Sequence, residues 1–154
     1  MYTLSNYIPF ILIPFMGWGV RRMLIRNKQY TMLKRMTFKI GISAFFLTEM
    51  ARSFYRPYIY QYNIFDFYIA DTIGNSLGTI TAIFMILTLT GKEKLSDLKI
   101  ILILIVGLIA YEGINLTSDN PFDYRDVIAT LIFGSLSLIF YLYLLNSHIC
   151  KKLD

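Results

Sequence analysis

The 154-residue chain has one cysteine, Cys150, and one histidine, His148. A lone cysteine excludes an intramolecular disulfide framework, and the pair is too few for a Cys/His zinc centre. Charge is scarce as well: 16% of residues are charged, against roughly a quarter in soluble domains. With 56% hydrophobic residues, that shortage points to a bilayer. No basic stretch precedes the first apolar run, which argues against a cleaved signal peptide.

What the chain does have is long apolar segments. A spanning helix needs about 20 mostly apolar residues, and five segments approach that length, about 3–20, 36–54, 69–90, 98–116 and 127–145. The expected fold class is an all-α integral membrane protein, a single transmembrane domain over 1–154 with about five transmembrane helices. Pro9 and Pro14 fall in the first segment, where a membrane bundle tolerates kinks, and Trp18 with Arg21-Arg22 closes it. Gly74 and Gly78, four apart in the third, permit close helix approach. Ser96-Asp97 offers a cap for the fourth. Tyr55, Tyr58, Tyr60, Tyr62 and Tyr68 read as an interfacial belt, with sugar or lipid stacking as the alternative.

Charge sets the orientation. A basic loop at 21–39, the loop at 91–99 and the tail hold twelve of the fifteen Lys/Arg, which assigns them to the cytoplasm. The amino terminus is then outside and the carboxyl terminus inside. Seven of the ten acidic residues fall at or near the outer side. Basicity therefore reports topology, and nucleic acid is not an expected partner. The basic loop is topogenic, or it binds anionic lipid.

Polar residues gather at two similar helical hairpins, segments two–three and four–five. In the first, Glu49 and Arg52 mark the helix exit, and Asp71, Asn75 and Gly78 share one face of the next helix. In the second, Glu112 and Asn115 mark the exit, Asp123 and Arg125 lie in the loop, and Asp126, Thr130 and Gly134 share a face. Asp71 and Asp126 could serve simply as amino-terminal caps favoured by the helix dipole. Glu49 and Glu112 sit near helix carboxyl ends, where the dipole opposes a negative charge. Arg52 is a local partner for Glu49; for Glu112 the expected partners are Arg125, Arg52, a proton, a cation or a ligand.

A glutamate at a helix exit, an acidic loop with an arginine, then Asp-x3-Asn-x2-Gly opening the next helix resembles the VanZ-like membrane protein family. Glu112, Asn115, Phe122-Asp123, Arg125 and Asp126 carry the likeness in the second hairpin. Thr130 stands where the family usually has Asn, Gly134 is one residue late, and the intact Asp71-Asn75-Gly78 spacing falls in the first hairpin. The likeness covers roughly residues 48–143. It implies a multi-pass protein of the bacterial cytoplasmic membrane, with one family member associated with glycopeptide-antibiotic resistance.

The leading functional expectation is an outer-face polar site for an envelope lipid, lipid-linked sugar or glycolipid head group. Glu49, Arg52, Asp71, Asn75, Glu112, Asn115, Asp123, Arg125 and Asp126 would line it. No cofactor is required, although Mg²⁺ or Ca²⁺ could bridge carboxylates to the ligand. The alternatives are a structural or accessory subunit, as a homo-oligomer or with a partner membrane protein, and a metal-dependent membrane hydrolase or transferase. No nucleophile–base pair is recognisable, which weighs against an enzyme.

Overall fold

A computed structural model describes residues 7–114 and 123–153, with side chains through residue 148. The described residues are helical throughout apart from turns: α1 (Ile8–Arg26), α2 (Met32–Met50), a π-helical turn (Ala51–Tyr55), α3 (Arg56–Gln61), α4 (Ile69–Thr90), α5 (Asp97–Ile114) and α6 (Tyr124–Leu153). The π turn joins α2 to α3 without a break.

Among the described residues, three helices are long and apolar enough to cross a membrane: α1, α4 and residues 124–148 of α6. Helices α2 and α5 carry more charge, at Lys34, Arg35, Lys39 and Glu49 on α2 and Asp97, Lys99 and Glu112 on α5. Most of these lie within two turns of a helix end, where long stems can bring charge to an interface.

The basic stretch 21–39 is not a loop. Arg21, Arg22 and Arg26 complete α1, Lys34, Arg35 and Lys39 belong to α2, and only residues 27–31 turn between them. Lys and Arg are good helix formers, so a high count of them does not by itself end a helix. Arg22 lies over the Trp18 ring at 5.1 Å and Arg35 over Tyr30 at 5.8 Å. Lys28, at φ 53°, takes the left-handed position usual for glycine after a helix, and Gln29 N–H closes on Leu24 O at 2.9 Å. Thr31 then caps α2, its hydroxyl accepting from Lys34 N–H at 3.2 Å.

α4 is the central element. It packs most extensively against α2, next against α6, and also touches α5; α1 rests principally on α2. The core is Leu33, Ile83, Phe84, Leu87, Ile101, Ile105, Tyr141, Leu144 and Leu145. In lipid, close packing rather than water exclusion holds helices together. The glycines that permit it are Gly41, where an added Cβ would meet Met85 N at 3.1 Å, and Gly134, where it would meet Ile105 Cγ1 at 2.7 Å. Gly74 and Gly78 face no such contact, so their spacing does not mark the seam.

Hydroxyls in α4 mostly close on their own helix. Thr72, Ser76, Thr79, Thr81, Thr88 and Thr90 each donate to the carbonyl four residues back at 2.6–3.0 Å. Thr88 also reaches across to another helix, to Thr37 on α2 at 3.0 Å.

Candidate functional site

The end of the α2–α3 helix and the starts of α4 and α6 meet at one end of the bundle. Asp66 and Asp123 prepare this end. The Asp66 carboxylate accepts Ala70 N–H at 2.7 Å, and the Asp123 carboxylate accepts Arg125 N–H at 2.9 Å. Each meets an amide left open in a helix's first turn. Asp71 and Asp126 are thereby not the residues that close these helix starts, and their carboxylates take side-chain partners.

Asp71 is held by α3. Arg56 Nε donates to the Tyr60 hydroxyl at 3.0 Å, the Tyr60 hydroxyl donates to Asp71 Oδ1, and Arg56 Nη2 stands 3.9 Å from the same oxygen. Both ends of the ion pair are well exposed, so the charge pair adds little stability and the hydrogen-bonded tyrosine fixes the geometry. Asp126, on α6, is hydrogen-bonded by the Asn75 side chain of α4, and Arg56, Asp71 and Asp123 are close enough to act on it electrostatically. Its other oxygen, Oδ1, is enclosed and has no hydrogen-bond partner among the described residues.

Aromatic residues wall this end. Phe67 and Tyr68 are both left-handed, at φ 56° and 64°, an arrangement that costs roughly 1–2 kcal/mol per residue. Arg125 lies over the Tyr68 ring, 3.5 Å from its centroid, and near Tyr124 at 5.6 Å. Tyr55 OH donates to Asp66 Oδ2 at 3.2 Å. Desolvation first, then this hydrogen bond and the nearby Asp66 charge, hold the Tyr55 phenol above its ordinary pKa.

Among the residues expected from the sequence, Asp71, Asn75, Asp123 and Asp126 come together, with Arg125 alongside. Glu49 and Arg52 form a local pair at 3.9 Å, Arg52 largely exposed and Glu49 buried with Oε2 lacking a hydrogen-bond partner among the described residues. Glu112 is buried near the end of α5. Asn115 lies outside the described residues. Arg56, Tyr60 and Asp66 were not foreseen as site residues. The available signal was Arg56 four residues before Tyr60, a helical spacing inside a segment read as loop.

No family model, curated protein or solved structure matches the chain. Its chemistry rests on its own residues. Among those described, no group of three or more His, Cys, Asp or Glu side chains is arranged to hold a metal ion. The assembled end instead offers carboxylate acceptors, an amide, a phenol and a guanidinium within one cluster, a set suited to hydroxyl-rich ligands.

The opposite end has a polar cluster the sequence did not reveal. Asp97 is fully buried; both its oxygens accept Lys92 N–H at 3.0 Å, Lys94 N–H donates at 3.3 Å and Tyr141 OH at 2.7 Å. Asp97 thus ties the α4–α5 turn to α6 rather than simply capping α5. Glu93 receives the Thr31 hydroxyl and faces His148 Nε2 at 3.5 Å.

Proposed function

We propose that the protein is a five-span VanZ-like membrane protein, amino terminus outside, whose acidic, tyrosine-rich end binds the head group of an envelope lipid or glycolipid. The observation that carries this reading is the enclosed Oδ1 of Asp126, without a hydrogen-bond partner among the described residues, beside Asn75 and close to Asp71 and Arg56. A buried acceptor with nothing to accept is costly, and a ligand hydroxyl would satisfy it. Arg56 or Arg125 would face a phosphodiester, and Asp71, Asn75 and Asp126 would face sugar or polyol hydroxyls.

A second reading has its own support: Arg56, Tyr60 and Asp71 close on one another, as a latch between α3 and α4 would. Native mass spectrometry of protein released from its own membranes separates the two, with wild type beside Asp126→Asn and Tyr60→Phe. Head-group binding predicts a discrete lipid-sized adduct on wild type and at least a tenfold smaller bound fraction in Asp126→Asn. A latch predicts no adduct on any of the three and a lower unfolding midpoint for Tyr60→Phe. A metal-sized adduct would move the assignment to the hydrolase or transferase alternative. If head-group binding holds and the resemblance extends to the family member associated with glycopeptide resistance, wild type expressed in a glycopeptide-sensitive bacterium should shift drug susceptibility more than Asp126→Asn.

A further inference from the structure

We propose that a second site, at the end of the bundle away from Asp126, binds a phosphate group. Between the α1–α2 and α4–α5 turns lies a cavity of about 340 Å³, lined among others by Lys28, Gln29, Thr31, Lys34, Lys92 and Glu93. That volume falls at the lower end of small-molecule sites, which run from about 300 Å³ upward.

Lys34 is the decisive residue. It is 5% exposed, and its Nζ donates to Gln29 Oε1 at 2.9 Å. An ammonium has three donors, and a neutral amide oxygen does not compensate a buried positive charge. Lys28 and Lys92 also line the cavity, against Glu93 in the lining and the buried Asp97 behind it, whose carboxylate is taken up by Lys92 N–H, Lys94 N–H and Tyr141 OH. The Glu93 carboxylate is already engaged by the Thr31 hydroxyl and by His148. α2 begins here at its Thr31 cap, so the positive end of its dipole adds to the field.

Three lysines lining one cavity suit a compact anion with several oxygens, and lysine meets phosphate as a point charge. The phosphate would belong either to an anionic lipid head group or to a soluble molecule.

The test uses the full chain in an uncharged detergent and follows its thermal midpoint during titration with inorganic phosphate. A parallel titration raises phosphatidylglycerol against phosphatidylcholine in mixed micelles. Wild type should show a saturable rise with at least one of them, weakened at least tenfold in Lys28→Gln/Lys92→Gln, whose positions are exposed and whose ligand-free midpoint should not move. Arg21→Gln/Lys39→Gln removes the same charge from exposed positions outside the cavity and should keep the wild-type response. A response to inorganic phosphate assigns a soluble ligand; a response to phosphatidylglycerol alone assigns the lipid. No saturable response in wild type, or equal weakening in the two double variants, overturns the site.

Discussion

Two aspartates at opposite ends of the bundle, Asp97 fully buried and Asp126 half-buried, differ in how fully they are satisfied. Asp97 accepts from two backbone amides and a phenol, and it holds a turn in place. Asp126 is met by Asn75 on one side and by nothing described on the other. Substitutions at the two should therefore act differently. Tyr141→Phe removes a hydrogen bond to a buried carboxylate and should lower unfolding stability in denaturing detergent by about 1.5–3 kcal/mol. Thr79→Val and Thr81→Val should each change it by less than about 0.5 kcal/mol, because those hydroxyls serve only their own helix. A large loss at Thr81 would mean that it has a partner on another helix.

At the scale of helices, the α2–α4 seam depends on Gly41. Gly41→Ala brings a methyl against Met85 backbone and side chain, and should cost about 1–3 kcal/mol by detergent unfolding. Gly78→Ala meets nothing and should be neutral or slightly stabilising. The sequence shows glycine spacing but not which helix face meets a neighbour, which is why Gly74 and Gly78 looked more telling than Gly41. Helix α4 was legible to the residue, since a mostly apolar run free of Lys, Arg and Glu lies between an aromatic loop and Gly91. The α1–α2 boundary was not, because lysine and arginine serve equally well in a helix end and in a loop. Within the site, Asp71, Asn75 and Asp126 were legible from their four-residue spacings. Arg56 and Tyr60 were hidden by the π turn, which breaks the periodicity just before them.

For the whole molecule, the proposed orientation puts the Asp126 end outside and the lysine-lined cavity inside. In that orientation Cys150, the single thiol, in the final turns of α6, would report the inner side. A membrane-impermeant maleimide should label it in inverted vesicles and not in intact cells; the reverse pattern would invert the topology. The π turn bears on what inheritance can change in such a chain. It accommodates one residue more than an α-helix would, and each residue of an α-helix turns its successors by about 100°. Loss of a single codon between 51 and 55 could relax this stretch into regular helix and swing Arg56 and Tyr60 away from Asp71, leaving every other codon intact. For a lineage carrying this gene, a three-nucleotide deletion at this one spot would undo the contact of α3 with the start of α4 without altering a single residue that makes it.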